Sequence, residues 1–199
     1  MNYSLLMIGA HSGKKQISLI KDSSSRGKVI LVEPVPWIFD KLLENTSGVP
    51  NIDFINAAIS DKDRDEVDFF APKSNSNEIA NYADQLGSFF EDHANIHNTN
   101  IGKYIERMKV KTISIAGLIE RFEITDLDLL FTDTEGHDAD ILLSFPFNKI
   151  KPRRILFEFK HSDGTFHIGR KLGNLITILE SHGYRNRVID AENCLSTLS

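Results

Sequence analysis

Length, composition and charge restrict what this chain can be. With 199 residues, 41% of them hydrophobic and 26% charged, it is long enough for one well-filled domain and short for two, so we expect a single domain over residues 1–199. A net charge of −5 without a long basic run disfavours a nucleic-acid partner. The single cysteine, Cys194, excludes an intramolecular disulfide, and no apolar run reaches membrane-spanning length, which predicts a cytoplasmic protein without a membrane partner.

The first elements are predicted from an apolar run and two glycines. Leu5 to Ile8 has the continuous apolar character of a strand in a parallel sheet covered on both faces. Gly9 and Gly13 frame a tight turn, after which apolar residues recur at helical spacing from Ile17 to Ile20. Such glycines let the backbone approach a ligand beside the free N–H groups of a helix N-terminus.

A second apolar strand, Val29 to Val32, ends in the acid Glu33. In nucleotide-binding α/β folds an acid at this position accepts hydrogen bonds from ribose hydroxyls, so these segments predict an adenosine-containing cofactor. A dinucleotide fingerprint would need glycine where His11 and Lys14 stand, and a P-loop would need a fourth residue between the two glycines. S-adenosylmethionine, which carries no phosphate, is the remaining common cofactor for this geometry.

The pattern weakens in the middle of the chain. Helical spacing over residues 37–43 predicts a helix, and apolar runs predict strands over 52–56 and 67–70. From about 72 to 107 asparagine and serine are dense and periodicity is poor. Because long irregular connections often carry binding loops, we interpret 72–107 as an insertion and a candidate substrate lid.

Regular patterns return in the second half. The spacing predicts strands at 108–113, 127–131, 155–159 and 184–189, a short strand near Leu195, and helices through 115–122, 141–145 and 168–179, the last capped by Gly183. Strands that alternate with helices predict an α/β fold with an open, mostly parallel sheet and helices on both faces.

Polar residues collect at the carboxyl ends of the predicted strands, where ligands bind in open α/β sheets. They are found at 9–13, Glu33, Asn56–Ala57, Asp133–His137 and His161. We therefore expect the functional site along this rim.

A metal site is the alternative suggested by His93 and His97. These histidines are four residues apart, with Glu91 and Asp92 beside them, and would share a face of a helix. The zinc-protease pattern, however, needs glutamate where Ala94 stands, and a histidine pair in a polar loop is more often solvated than ligating. We predict no metal site.

Four segments resemble the FkbM-type methyltransferases, a family of S-adenosylmethionine-dependent O-methyltransferases with the class I methyltransferase fold. They are IGAHSG at residues 8–13, VEP at 32–34, FINAAISD at 54–61 and DLLFTDTEGHDADIL at 128–142. The last is the most specific, because an acid, one residue, Glu-Gly and then a helix after a buried strand is the family's most recognisable signature.

The resemblance implies roles for individual residues. Glu33 would bind the ribose hydroxyls, and Asp133 would lie near the amino end of the cofactor or near the substrate. The methionine part of the cofactor would be bordered by Gly9, Ala10, His11 and Gly13, and the adenine by Asn56 and Ala57.

Two positions depart from the family's pattern. Met7 stands where the family usually has an acid, which removes one polar contact toward the cofactor. Ala116 and Gly117 stand where an acid is common near the start of a helix, a difference that we interpret as one of helix capping.

Methyl transfer to a hydroxyl is an in-line displacement that needs an aligned oxygen and a base for its proton. The candidate bases on the rim are Asp133, Glu135, His137 and His161. A histidine has the pKa best suited to accept a proton near neutral pH, so we assign catalysis to His137 with Asp133 or Glu135. Structural roles compete for some rim residues: Glu135 would cap the following helix, Glu158 would pair with an arginine, and His161 would lie in solvent.

The predicted function is O-methylation of a small-molecule or glycan acceptor, with S-adenosylmethionine as cofactor. Two alternatives stay open. One is a non-catalytic binding protein on a methyltransferase scaffold, suggested by Met7 and the irregular middle segment. The other is a nicotinamide-dependent oxidoreductase, which His11 and Lys14 disfavour.

Overall fold

A computed structural model describes residues 1–73, 85–97, 101–161 and 170–199. The strands are β1 (Asn2–Ile8), β2 (Lys28–Val32), β3 (Ile52–Ile55), β4 (Ala58–Ser60), β5 (Arg64–Pro72), β6 (Ile105–Ser114), β7 (Asp126–Thr132), β8 (Arg154–Glu158), β9 (Tyr184–Val188) and β10 (Asn193–Leu198). The helices are α1 (Ile17–Arg26), α2 (Pro36–Asn45), α3 (His93–His97), α4 (Ile115–Arg121), α5 (Asp138–Leu143) and α6 (Arg170–Ser181). Among these described helices, none is long and apolar enough to span a membrane.

The main sheet has seven strands in the order β3-β2-β1-β7-β8-β10-β9. β1 pairs in parallel with β2 and β7, β2 with β3, and β7 with β8, whereas β10 runs antiparallel to both β8 and β9. The strand order reverses at β1, and the carboxyl ends of strands at such a switch point open a crevice for ligands.

Helices cover both faces of this sheet. Alternate residues of β1 belong to two separate hydrophobic clusters, as strand geometry requires. Leu6 and Ile8 share a cluster with residues of α4, α5 and α6, among them Leu118, Ile141 and Leu175. Leu5 and Met7 share the other cluster with Ile20 of α1 and Leu42 of α2. The predicted α/β fold class is therefore confirmed.

A second, three-stranded sheet has the order β4-β6-β5, with β4 parallel and β5 antiparallel to β6. The sequence predicted the strands at 67–70 and 108–113 but gave no sign that they pair with each other outside the main sheet. Phe69 and Val110 of this sheet share a hydrophobic cluster with Val35 and Ile38 at the start of α2. The small sheet thus stands beside the carboxyl end of β2.

Several local predictions can be compared with the structure. Gly183 follows α6 with a φ of +96°, in agreement with the predicted C-terminal cap of this helix. The helix was predicted from residue 168, and its first residues, 168 and 169, lie outside the described residues. α4 is capped by the Ser114 hydroxyl, which accepts a hydrogen bond from Gly117 N at 3.1 Å, so capping there needs no further acid.

The predicted insertion at 72–107 is described only in part. Residues 74–84 and 98–100 lie outside the described residues. The remainder contains α3 and a 3₁₀ turn at Gly102–Tyr104, and the strands β5 and β6 extend into its two ends.

Candidate active site

The first turn of the chain brings the ends of three strands together. The backbone N–H groups of Gly9 and Ala10 both donate to the carbonyl of Val32, at 3.0 and 2.9 Å, and Asp133 N donates to Ile8 O at 3.0 Å. Gly9 has a φ of +79°, and a Cβ at this position would lie 1.8 Å from the carbonyl oxygen of Asp133. Only glycine lets β1 and β7 approach this closely.

Glu33 closes the turn from the side of β2. Its Oε2 accepts a hydrogen bond from His11 N at 2.9 Å, and its Oε1 accepts one from Val35 N at 2.9 Å. The residue is 5% exposed, and burial raises the pKa of its carboxyl to about 7 although both N–H donors act in the opposite direction. Each carboxylate oxygen has two lone pairs, so each can accept one further hydrogen bond from a ligand.

Asn56 fixes the chain that follows Glu33. Its side-chain Nδ2 donates to the carbonyl oxygens of Glu33 and Pro34, at 2.9 and 3.1 Å. The amide thus links the end of β3 to the end of β2.

The loop after β7 is held by the first residue of α5. Asp138, which is 1% exposed, accepts hydrogen bonds on Oδ2 from the Thr134 backbone N–H and hydroxyl, at 3.1 and 2.7 Å. Glu135 has a φ of +52° and Gly136 one of +106°. A non-glycine residue in this region is unusual and marks a backbone held by its surroundings, which is common at functional sites.

Burial perturbs the titratable groups of this loop. It raises the pKa of Asp133 to about 7 and that of Glu135 to about 8, and repulsion from neighbouring carboxylates adds to both shifts. Burial lowers the pKa of His137, which favours the neutral imidazole. His137 Nδ1 lies 3.5 Å from Oδ2 of Asp140, and Asp140 is in turn paired with Lys171 at 2.7 Å.

These groups line one cleft at the carboxyl ends of β1, β2 and β7. Its wall contains Ile8, Gly9, His11, Val32, Glu33, Pro34, Val35, Ile38, Ala57, Ala58, Ile59, Phe69, Gln85, Gly87, Phe89, Asp133, Thr134, Glu135 and His137. The residues near Glu33 are mainly apolar, whereas acids and a histidine line the part formed by the loop after β7. The first part is therefore suited to an apolar group and the second to a polar or charged group.

Residues 85–90 contribute Gln85, Gly87 and Phe89 to the wall of the cleft. The backbone of Ser88 pairs with that of Phe70 in both directions at 2.9 Å, and the Ser88 hydroxyl donates to Glu135 O at 2.9 Å. The ring of Phe89 lies 5.2 Å from that of Phe69 and 4.9 Å from that of His137, measured between centroids. This part of the predicted insertion therefore covers the loop after β7.

Most of the predicted site residues meet in this cleft, but three do not line it. Gly9, His11, Glu33, Ala57, Asp133, Glu135 and His137 line the cleft. Ala10 is fully buried in the core, Gly13 faces Leu42 of α2, and Asn56 makes the backbone contacts described above. Met7 is also fully buried, on the α1 and α2 side of β1, so its side chain lies away from the cleft.

The structural roles that the sequence suggested for Glu135, Glu158 and His161 are not the ones observed. Glu135 does not cap α5; its Oε2 lies 2.8 Å from Nε2 of His93. The expectation of solvated histidines is wrong for His93 and His161, which are 1% and 2% exposed, because α3 and the end of β8 pack against each other there. Among the described residues Glu158 has no arginine partner; its Oε1 lies 3.6 Å from Nε2 of His161. The side chain of His97 lies outside the described residues.

Sequence reasoning missed several lining residues. Phe69 was predicted only as part of a strand, and Gln85 and Gly87 lie in a segment without periodicity, where no local signal marks a binding wall. Glu158 did carry a signal, since a charged residue inside a buried apolar strand is unusual.

This chain has the fold of the class I S-adenosylmethionine-dependent methyltransferases. An FkbM methyltransferase from Methylobacillus flagellatus KT has 13% identity and a TM-score of 0.55, with 98% of this chain and 43% of that chain covered. The fibrillarin pre-rRNA processing protein of Methanococcus jannaschii has 15% identity and a TM-score of 0.50, with 99% of this chain and 66% of that chain covered. The present chain thus spans less than two thirds of each of these structures.

The family follows from the sequence itself. Residues 8–186 match the model of the methyltransferase FkbM domain, and the chain belongs to that family. No curated protein matches the sequence. The family model covers the Gly9 turn, Glu33 and the loop after β7, so the residues of the cleft all lie within the matched region.

Proposed function

We propose that this chain binds S-adenosylmethionine in the cleft between β1, β2 and β7 and methylates a hydroxyl oxygen of a small molecule or glycan. One observation carries the proposal: the buried carboxylate of Glu33 lies 2.9 Å from His11 N, in the same cleft as Asp133 and His137. The two turns that the sequence assigned to an adenosine cofactor therefore converge on one site.

Several residues of the cleft support the binding of this cofactor. Glu33 would accept hydrogen bonds from the ribose hydroxyls on its remaining lone pairs. Val35, Ile38 and Ile59 would pack against the adenine, and the turn at Gly9 would border the methionine part. Bound S-adenosylmethionine supplies an electrophilic methyl group on a sulfonium centre.

The acceptor would lie between the loop after β7 and residues 85–90. Burial lowers the pKa of the His137 ring, which favours the neutral imidazole, and a neutral imidazole can take the proton of a hydroxyl. The Asp140 carboxylate, 3.5 Å from Nδ1, would favour the tautomer with hydrogen on Nδ1 and leave Nε2 as the proton acceptor. The preference for a hydroxyl acceptor rests on the family likeness.

Calorimetry with the demethylated product tests the cofactor. We expect S-adenosylhomocysteine to bind with one molecule per chain and NAD to give no heat. Binding of NAD without binding of S-adenosylhomocysteine would contradict the proposal and favour the oxidoreductase.

Transfer of a labelled methyl group to mixtures of hydroxylated small molecules and glycans then tests the reaction. We expect His137→Gln to reduce transfer by about 100-fold or more, within the range for loss of a general base, and to leave cofactor binding intact. His182→Gln is the matched control, because His182 stacks on Phe147 in the α6 region, away from the cleft. Full methyl transfer by the His137→Gln variant would show that His137 is not the general base.

A further inference from the structure

Two glutamates and two histidines form a buried cluster behind the cleft. One carboxylate oxygen of Glu135, one of Glu158 and one ring nitrogen of His161 all lie within 4.8 Å of one another. His93 Nε2 lies 2.8 Å from Glu135, and the rings of His93 and His161 are 5.1 Å apart between centroids at an angle of 89°. These residues come from α3, from the loop after β7 and from the end of β8, and they define the Glu135 cluster.

Glu158 shows that this cluster is incomplete as it stands. The residue is 8% exposed, and within the described part of the chain its Oε2 has no hydrogen-bond partner. A buried polar atom without a partner is costly, and a buried carboxylate without a compensating charge is more so. A bound cation would remove both costs.

The donor atoms indicate which cation is suitable. Carboxylate oxygens alone would suit Mg²⁺ or Ca²⁺, whereas imidazole nitrogen mixed with carboxylate oxygen suits first-row transition ions such as Zn²⁺, Mn²⁺ and Fe²⁺. Ligand atoms on opposite sides of a shell of about 2.1 Å radius are about 4.2 Å apart. The side chains of the Glu135 cluster therefore need to draw together by less than about an ångström to surround one ion.

We propose that Glu135, Glu158 and His161 bind one divalent transition-metal ion, with His93 as a further ligand or as the partner that orients Glu135. This departs from the sequence-based expectation of no metal site, which considered His93 together with His97, Glu91 and Asp92. The tertiary structure instead joins His93 to residues that lie 42 to 68 positions further along the chain.

The position of the ion suggests its use in methyl transfer, an inference that rests on the proposed function. Glu135 belongs both to the cluster and to the wall of the cleft, beside His137. An ion that kept one coordination position open toward the cleft would bind the acceptor hydroxyl there, and a metal-bound hydroxyl loses its proton more readily. The acceptor would then be an oxygen-rich molecule, such as a diol or a sugar, that can bind the ion through its oxygens.

Calorimetric titration of Zn²⁺ and Mn²⁺ into the untagged chain, after treatment with a chelator, tests the site directly. We expect one ion to bind per chain. Glu158→Gln and His161→Gln should each weaken binding by about 100-fold or more, since even partners of metal ligands cost 10–100-fold when replaced. The matched controls Glu192→Gln and His182→Gln should bind as the unchanged chain does, because Glu192 is a nearby carboxylate paired with Lys160 outside the cluster.

Thermal unfolding separates loss of the ligand from loss of the fold. Glu158→Gln removes a buried acid without a hydrogen-bond partner on Oε2, so the metal-free variant should unfold at or above the temperature of the unchanged chain. The ion should raise the unfolding temperature of the unchanged chain but not that of the variant. A variant that is stable yet no longer stabilised by Zn²⁺ or Mn²⁺ supports the site.

Several results would overturn the inference. Absence of binding at millimolar Zn²⁺ and Mn²⁺ would do so, as would binding that is unchanged in both cluster variants. Mg²⁺ bound as tightly as Zn²⁺ would exclude His161 as a ligand. If S-adenosylhomocysteine binds the metal-free chain while no ion binds, the proposed metal site is wrong and the proposed function stands. If an ion binds and S-adenosylhomocysteine does not, the metal site stands and the proposed function is wrong.

Discussion

The backbone N–H of His11 donates to Oε2 of Glu33 at 2.9 Å, so the turn after β1 and the acid after β2 are bonded to each other. His11 itself has a φ of +48°, a left-handed conformation that the hydrogen bond helps to hold. The carboxylate that would bind the ribose is therefore the same group that fixes the shape of the turn. Substitution of Glu33 should affect binding and stability together.

Glu33→Ala should weaken binding of S-adenosylhomocysteine by about 1–3 kcal/mol, the range for a lost hydrogen bond to a charged group. It should also lower the free energy of unfolding, because the N–H groups of His11 and Val35 lose their acceptor. Calorimetry and urea unfolding measure the two effects. Glu44→Ala, on the exposed side of α2, is the control. Unchanged affinity in Glu33→Ala would show that Glu33 does not bind the cofactor.

Binding of S-adenosylhomocysteine should strengthen as the pH rises from about 6 to about 8. Burial raises the pKa of Glu33 from 4.5 to about 7, and the ionised carboxylate accepts stronger hydrogen bonds from hydroxyls than the protonated one. Calorimetry at several pH values measures the slope, which should be smaller in Glu33→Gln; Asp133, whose pKa burial raises to about 7 in the same cleft, contributes the remainder. An equal slope in that variant would assign the titration to another group.

The stability of the unliganded chain should change with pH in the opposite direction. Folding raises the pKa of the Glu33 carboxyl from 4.5, its value in the unfolded chain, to about 7. The contribution of this group to stability is therefore fully present below pH 4.5 and is lost as the pH rises through about 7. The free energy of unfolding in urea should therefore fall more between about pH 5 and pH 8 in the unchanged chain than in Glu33→Gln. A larger fall in the variant would contradict the raised pKa.

Gly9→Ala and Gly48→Ala form a matched pair that tests the close approach of β1 and β7. The two glycines have φ values of +79° and +80°, but a Cβ at Gly9 would lie 1.8 Å from Asp133 O, whereas one at Gly48 would meet nothing within 4 Å. Gly48→Ala should cost only the left-handed strain, about 1–2 kcal/mol. Gly9→Ala should cost at least about 1–3 kcal/mol more in urea unfolding, as overpacking does. Equal losses would mean that the strand ends can move apart.

Asn56→Ala should lower stability more clearly than it lowers cofactor affinity. The Asn56 amide donates to the carbonyls of Glu33 and Pro34 and does not line the cleft, so the variant loses two hydrogen bonds worth about 1 kcal/mol each or less. Urea unfolding and calorimetry compare the two effects. A tenfold loss of affinity at unchanged stability would instead place the amide against the adenine.

Much of the fold could be predicted because its signals are local. The apolar runs that became β1, β2, β7 and β8 are continuous, and the stripes of α2 and α4 repeat at helical spacing, so each element is specified by a few neighbouring residues. Glycine at position 9 and the acid at position 33 could be assigned to a turn and a strand end for the same reason. The order of elements then restricted the sheet to an open α/β arrangement.

Long-range contacts decided the rest. β5 and β6 pair with each other in a separate sheet. The sequence of neither strand indicates this pairing, because the pairing of strands depends on which surfaces remain to be buried. Likewise, His93, Glu135 and the neighbouring pair Glu158 and His161 lie far apart in sequence, and only the packing of α3 against the end of β8 buries them together. The sequence by itself determined most of the elements of the main sheet and the residues proposed to bind the cofactor. The tertiary structure alone assembled the buried cluster beside them, because a side chain's charge environment is set by neighbours in space and not along the chain.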